Sequence, residues 1–264
     1  MNQAAVAACS AAFHRELAAH RLNRFLHGHL ALAAVAGLLP LFTPTEAAAA
    51  APWWVLQTTL YCLSLSTLLL GLSSAHGEAD EFPLLFAQPA PRWAWLAGKG
   101  AALALLVVPA GALLVGPAAL LGGATRPLVV MGLAAAGIGL AFTAVGLAIG
   151  FWVRDGVRGL LATLATWFVL LFGVDLLLLA VAGAPAVHAS SALWILPMML
   201  NPLDALRVSV LFSLGAAAPA SAITGTLAGW WLERSLLWLA LLVVAWTGAA
   251  FLAGLAGARR RLDS

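Results

Sequence analysis

Long apolar runs alternate with short polar stretches along most of this chain, and each run is nearly free of charge. A helix needs about 20 mostly apolar residues to cross the hydrocarbon core of a bilayer. Runs of about this length cover residues 27–44, 54–74, 96–121, 128–152, 159–182 and 235–257. Because lipid cannot satisfy free backbone N–H and C=O groups, an uncharged run of this length must be helical. The pattern therefore predicts an all-α integral membrane protein with six transmembrane helices.

The composition excludes a soluble globular protein of this size. Hydrophobic residues make up 63% of the 264 residues, charged residues only 9%, and the mean hydropathy is +1.01. Too little polar side-chain surface is left to cover a soluble domain. The chain has two cysteines, and we expect neither to form a disulfide, because Cys9 is predicted outside the membrane and Cys62 within the second run.

The basic residues predict the orientation of the chain in its membrane. With a cytoplasmic N-terminus and six spans, the inner side carries Arg15, Arg21, Arg24, Arg92, Lys99, Arg154, Arg158, Arg259, Arg260 and Arg261, and the outer side only Arg126, Arg207 and Arg234. This excess on the inner side predicts a multi-pass membrane protein with both termini in the cytoplasm. The net charge of +3 then reflects topology and anionic lipid, and it does not indicate a nucleic-acid partner.

Two segments outside the apolar runs are predicted to form helices at the membrane surface. Residues 1–25 combine apolar side chains such as Phe13 with several basic ones, which suits an amphipathic helix in the inner interface; a disordered basic tail is the alternative. Residues 183–234 are interrupted by Asp204 and Arg207, each of which costs about 2.5–3.5 kcal/mol at the centre of a span. We therefore expect short helices on the outer side, with a seventh span as the alternative.

The segment 76–95, between the second and third runs, is unusually polar for this chain, and the predicted orientation places it in the cytoplasm. Its apolar centre follows three acids and is itself followed by Pro89 and Pro91, which stop a helix. These features predict a short helix that docks a cytoplasmic partner, with a plain interfacial loop as the alternative. The residues expected to contact that partner are Glu78, Asp80, Glu81, Leu84, Leu85, Phe86 and Arg92.

Asp175 is the single acid within a predicted span. Ionisable residues inside the membrane are costly and usually face a bundle interior or a water-filled path. We therefore expect its side chain to face the interior of the bundle or of a dimer. Two roles stay open: a carboxylate that serves transport, or a carboxylate satisfied by neighbouring hydroxyl groups with a packing role only.

The sequence contains no motif of catalytic or nucleotide-binding chemistry. Gly98–Lys99 lacks the glycine spacing and the following hydroxyl of a phosphate-binding loop, so we do not expect this chain to hydrolyse ATP. His27 and His29 lie on different sides of a helix and are expected to be interfacial histidines rather than metal ligands. We predict no enzyme activity, no cofactor and no metal site in this chain.

The order of these features resembles that of the membrane subunits of ABC-2 type transporters. The resemblance covers essentially the whole chain, 1–264, as a single transmembrane domain. It depends on the basic N-terminal helix, the six spans, Gly77–Glu78, the spacing from Pro89 to Arg92, and Gly98–Lys99.

The resemblance implies a division of labour between subunits. It implies that residues 1–25 form an elbow helix on the membrane and that 76–95 contain a coupling helix, which contacts a separate ATPase. Two copies of the membrane subunit would form the pathway, and ATP and magnesium would belong to the ATPase.

Two short segments, around Asp175 and from Leu200 to Arg207, are similar to the NosY branch of this family. That branch serves maturation of nitrous oxide reductase, a copper enzyme, which implies an exporter that works with a periplasmic accessory protein. Met, Cys and paired His are scarce along the spans, so a sulfur species or another cargo stays open beside copper. Two other classes also stay open: a non-transporting membrane anchor or assembly subunit, and an ion-coupled carrier that uses Asp175.

Overall fold

The computed structural model describes residues 3–42, 51–78, 91–122, 126–181, 192–213 and 226–260, and all regular structure within these ranges is helical. The helices are α1 (Gln3–His20), α2 (Arg24–Leu38), α3 (Ala51–Gln57, the π-helical segment Thr58–Leu63 and Ser64–Gly77), α4 (Arg92–Gly122), α5 (Arg126–Trp152), α6 (Gly156–Phe168, the π-helical segment Val169–Gly173 and Val174–Val181), α7 (Ala192–Leu200), α8 (Pro202–Ser213), α9 (Leu227–Glu233) and α10 (Ser235–Arg260). The prediction of an all-α membrane protein is confirmed at this level.

Five stretches of these helices are long and apolar enough to cross a membrane. They are Trp53–Gly77, Arg92–Leu120, Leu128–Trp152, Gly156–Val181 and Ser235–Arg260, and they coincide with the last five predicted spans. The first predicted span, 27–44, corresponds to α2 and a 3₁₀ turn, Leu39–Phe42. Because α2 itself has 15 residues, fewer than the ~20 that a span needs, the count of six spans stays a prediction.

Helix α5 lies at the centre of the bundle, with α3, α4 and α10 packed around it. Glycines permit the closest of these contacts. A methyl group on Gly71 would collide with the Thr143 carbonyl oxygen, and one on Gly146 would collide with that of Leu68. The sequence indicates that Gly146 and Gly150 favour a close helix approach, and the structure identifies α3 as the neighbour.

The π-helical segments of α3 and α6 lie close together. Trp167, on the turn before the segment in α6, donates from Nε1 to the Ser64 hydroxyl at 3.0 Å, and the rings of Tyr61 and Phe172 lie 6.4 Å apart. A π-helical turn interrupts the regular i to i−4 bonding of an α-helix and occurs often at functional sites. In α6 the interruption leaves carbonyl oxygens that accept bonds from outside the helix, as described below.

Helix α6 is the least enclosed of the five candidate spans. Only 6% of its most apolar stretch is buried, compared with 67% for α3. On the side predicted to be outer, α7, α8 and α9 form the short helices expected in 183–234, and α8 packs against α10 and α5 and reaches the π-helical segment of α6.

Candidate functional site

A group of polar side chains, all but one of them buried, lies at the side of the bundle predicted to be cytoplasmic. It joins α1 to the end of α3 and the first turns of α4. We call it the inner polar cluster, and it consists of Arg15, Glu16, His20, Ser74, Glu78 and Lys99.

Lys99 is the centre of the inner polar cluster. Its side chain is 1% exposed, and its Nζ donates to Glu16 Oε2 and, at 2.9 Å, to Glu78 Oε2. The other carboxylate oxygens are also paired: Ser74 donates to Glu16 Oε1, and Arg15 Nε lies 3.5 Å from Glu78 Oε1. Two acids and two bases therefore compensate each other, which is the condition under which buried charges are tolerated.

Local sequence brings these side chains together. Glu16 and His20 are four residues apart and lie on the same face of α1, and His20 Nδ1 donates to the Glu16 carbonyl oxygen at 3.0 Å. Gly98 lets α1 cross close to α4, since a methyl group there would collide with the Cys9 carbonyl oxygen. The next residue, Lys99, then reaches Glu16 across the same crossing.

Burial also affects the protonation of the cluster. Desolvation raises the pKa of the Glu78 carboxyl above its ordinary value, and Lys99 opposes this increase. Glu78 therefore depends on Lys99 and Arg15 to remain ionised.

The residues predicted to dock a partner divide into two groups. Glu78 belongs to the inner polar cluster, and Arg92 begins α4 with an exposed side chain. Asp80, Glu81, Leu84, Leu85 and Phe86 lie outside the described residues. Segment 79–90 is thus bordered on one side by Glu78 and on the other by the helix that carries Lys99.

Glu16 and His20 were not among the predicted site residues, and Lys99 was considered only as part of a motif. His20, expected on the basic side of an amphipathic helix, is 3% exposed. Two signals were present in the sequence: Glu16 is the only acid in residues 1–25, and Lys99 is the only lysine of the chain. The only acid of residues 1–25 and the only lysine of the chain are natural partners in such an apolar protein. Their pairing can be predicted only when it is known which helices cross.

A second polar group, the outer polar cluster, consists of Asp175, Asn201, Asp204 and Arg207. Arg207 Nη1 donates to Asp175 Oδ2 at 2.9 Å and to Asp204 Oδ1 at 3.1 Å. Arg207 Nη2 also donates to the Leu171 carbonyl oxygen at 3.1 Å, and Asn201 donates to that of Leu170 at 2.6 Å. The cluster thus fastens α8 to carbonyls in the π-helical segment of α6.

Asp175 differs from what its position in a span predicts. Its side chain is 52% exposed, so it does not face the interior of the bundle formed by this chain. It lies six residues before the end of α6, in the outer third of that span. Within the described residues it pairs with the Arg207 guanidinium rather than with a neighbouring hydroxyl group. Whether it faces a second copy of the chain stays a prediction.

Asp204 is the buried acid of the outer polar cluster, with 2% of its side chain exposed. Burial raises the pKa of Asp204 to about 6, and Asp175 adds to this increase, whereas Arg207 and Asn201 oppose it. This carboxyl is therefore expected to change its charge at a pH well above the range usual for an aspartate.

Among the described residues, no three His, Cys, Asp or Glu side chains lie close enough together to hold a metal ion. His27 Nδ1 contacts the Asn23 carbonyl oxygen at 2.7 Å, and His29 Nδ1 contacts the Ser66 hydroxyl at 2.7 Å. The two histidines therefore have separate partners within the protein.

The fold and the two clusters define an α-helical membrane protein with buried charges that link its helices. In comparisons with known proteins, no family model matches this chain. No curated protein matches it either.

Proposed function

We propose that this chain is the transmembrane permease subunit of an ATP-driven ABC-2 type transporter, working as a dimer with a separate ATPase subunit. The observation that carries the proposal is the inner polar cluster. Glu78 and Lys99 lie on either side of segment 79–90 in the sequence, and both are paired with α1 through Arg15 and Glu16. A partner bound at this segment would therefore act on α1, α3 and α4 together.

The ion pairs of the inner polar cluster are costly to break, so a movement of one helix would be passed to the others. Breaking one member of a buried ion pair costs about 3–5 kcal/mol, so the three helices should respond as one rigid unit. Helix α6 is different, because little of it is buried and its inner half contacts mainly α3. A displacement of α3 would reach α6 through the contact between Trp167 and Ser64 in their adjoining π-helical regions.

The narrower proposal is a NosY-like permease in the bacterial inner membrane that serves maturation of nitrous oxide reductase. The two short segments that carry this resemblance meet in space, because Asp175 and the stretch Leu200–Arg207 together form the outer polar cluster. Their contact supports a shared role for the two segments on the outer side. Copper, a sulfur species or another compound is the cargo in this proposal, and a periplasmic accessory protein is the expected partner.

Co-purification with an ATPase tests the proposal. The chain is co-expressed with the candidate ATPase encoded nearest to it, and Leu85 and Phe86 are both replaced with Asp. We expect the double variant to insert into the membrane normally but to lose the ATPase. Leu22→Asp is the control, since Leu22 is 89% exposed in the turn between α1 and α2 on the same side of the bundle.

Retention of the ATPase by the double variant would contradict docking at 79–90. The purified chain by itself should hydrolyse no ATP, and hydrolysis should appear on addition of the ATPase. A non-transporting anchor would bind the ATPase, but cargo would not stimulate ATP hydrolysis. An ion-coupled carrier would transport its cargo in the absence of the ATPase. The three functions therefore give different results in the same set of assays.

A further inference from the structure

A narrow apolar groove runs along the inner half of the bundle, between α4 and α10 and above α5. Its volume is about 190 Å³. Small residues open it, among them Ala97, Gly100 and Ala104 on α4 and Ala250 and Gly254 on α10. We call it the inner groove.

The depth of the inner groove matches one leaflet of a bilayer. On α4 its lining extends from Leu96 to Ala104, which are four and twelve residues from the first residue of the helix. On α10 the lining extends from Gly254 to Thr247, which are six and thirteen residues from the last described residue. At about 1.5 Å per residue, the groove lies roughly 6–20 Å from the inner helix ends, the depth of the inner leaflet's hydrocarbon.

The helix ends below the groove are basic. Arg92 begins α4, Arg154 follows α5, and Arg259 and Arg260 end α10. Within 91–97, 149–155 and 255–260, Asp155 is the only acid, and its carboxylate accepts a hydrogen bond from the Arg158 N–H at the start of α6. Within these described helix ends the arginines therefore outnumber the acids, which favours an anion.

Aromatic side chains at the same level are placed as they are at a membrane surface. Trp93 lies one turn below Ala97 and is 45% exposed. Trp152 donates from Nε1 to the Ala253 carbonyl oxygen at 2.8 Å, and the Arg260 guanidinium lies 4.4 Å from its ring centroid. Tryptophan is enriched at the level of lipid headgroups, so the mouth of the groove coincides with the headgroup region.

We propose that the inner groove binds an acyl chain of an anionic phospholipid from the inner leaflet, with the lipid phosphate among the arginines at the helix ends. Basic pockets between spans on the cytoplasmic side are known to hold acidic headgroups. The proposal does not rest on the proposed transport function, because it uses only the groove and the charges below it.

A second groove, which shares α5 and α10 with the inner groove, provides a comparison. This outer groove, of about 340 Å³, lies between α5 and α10 in their outer halves and is lined only by apolar residues, among them Gly137 and Ala240. Two described basic residues lie near its outer end: Arg126 begins α5 with an exposed side chain, and Arg234, the residue before α10, is paired with Glu233 at 3.4 Å. The outer groove therefore offers an acyl chain a similarly apolar lining with less positive charge at its mouth.

Native mass spectrometry of the purified chain tests the proposal, with phosphatidylglycerol and phosphatidylcholine of identical acyl chains. We expect the wild-type protein to retain one phosphatidylglycerol with at least fivefold preference over phosphatidylcholine. Gly100→Leu should weaken this binding at least fivefold by filling the inner groove, and no atom within 4 Å obstructs a methyl group at Gly100. Ala240→Leu, in the outer groove, should leave it unchanged.

Thermal unfolding gives a second readout that does not depend on one variant. Phosphatidylglycerol should raise the midpoint of the wild-type protein more than phosphatidylcholine does, and Arg92→Gln with Arg260→Gln should remove that difference. Equal retention of the two lipids would overturn the proposal, as would unchanged phosphatidylglycerol binding by Gly100→Leu. If Gly100→Leu does not fold, the double arginine variant decides, and an undiminished preference for phosphatidylglycerol then overturns the proposal.

Discussion

The inner and outer polar clusters both hold charged side chains within an apolar helix bundle, but they compensate these charges differently. The inner cluster has two acids and two bases, and Lys99 and Glu16 at its centre are both almost fully buried. The outer cluster has two acids and one base, and the side chain of Asp175 is half exposed. Glu16, Glu78 and Lys99 are shielded from solvent and depend on their protein partners, whereas Asp175 can also be solvated from outside the bundle.

This difference indicates where the bundle is rigid and where it can move. The inner cluster connects three helices through side chains alone and holds α1 against α4. The outer cluster connects α8 to the π-helical segment of α6, a helix with few other contacts. We therefore expect substitutions in the inner cluster to affect folding and those at Asp175 to affect movement.

Lys99→Met should have the largest effect, because it removes the lysine that pairs with the buried Glu16 and leaves only the His20 ring and the Ser74 hydroxyl beside that carboxylate. It also deprives Glu78 of one of its two bases. The expected loss is about 3–5 kcal/mol of the free energy of unfolding, measured by thermal unfolding and folded yield in detergent. Arg234→Met, which breaks an exposed ion pair, should cost less than about 1 kcal/mol. Adding Glu16→Gln to Lys99→Met should restore part of the loss, since Glu78 keeps Arg15; no restoration would argue against a charge effect.

Gly98→Ala should come next, because the new methyl group would collide with the Cys9 carbonyl oxygen and push α1 away from α4. Overpacking of this kind costs about 1–3 kcal/mol. Gly100→Ala on the same helix is the control, since nothing lies within 4 Å there, and it should be neutral or stabilising by up to about 1 kcal/mol. Equal thermal midpoints for the two variants would contradict the close crossing.

The outer cluster should make stability depend on pH. Because the folded pKa of Asp204 is raised from 3.8 to about 6, the folded state binds more protons than the unfolded state between these values. Asp204 therefore contributes most to the free energy of unfolding below about pH 4. This contribution, on the order of 1–3 kcal/mol, is lost as the pH rises to about 6. Unfolding of wild type and Asp204→Asn across this range should show a steeper dependence in wild type, since the raised pKa of Glu78 acts in both proteins. Parallel curves would refute the assignment.

Asp175→Asn should have the smallest effect on stability, below about 1 kcal/mol, because the side chain is half exposed and the amide can still accept from Arg207. A role in transport would instead appear as reduced cargo-stimulated ATP hydrolysis by a normally assembled complex. Asp175→Leu distinguishes a structural role, which would lower the yield of the complex. Wild-type behaviour of both variants in both assays would exclude Asp175 from the site.

The apolar runs by themselves determined the fold class and the positions of five spans, because the requirement to satisfy backbone groups in lipid leaves few alternatives. The short helices of 183–234 were also predictable, since Asp204 and Arg207 are expensive inside a span. The structure was needed to show that these two residues pair with each other and with Asp175.

Only the tertiary structure decided which residues form the sites. Glu16 and Lys99 are 83 residues apart in the chain, and their contact depends on a helix crossing that Gly98 makes possible. The half-exposed position of Asp175 depends on which face of α6 meets α8, and the π-helical segment shifts that face without a clear signal in the sequence. Hydrophobicity is a local property that the sequence displays directly, whereas the pairing of buried charges is decided by how the helices pack.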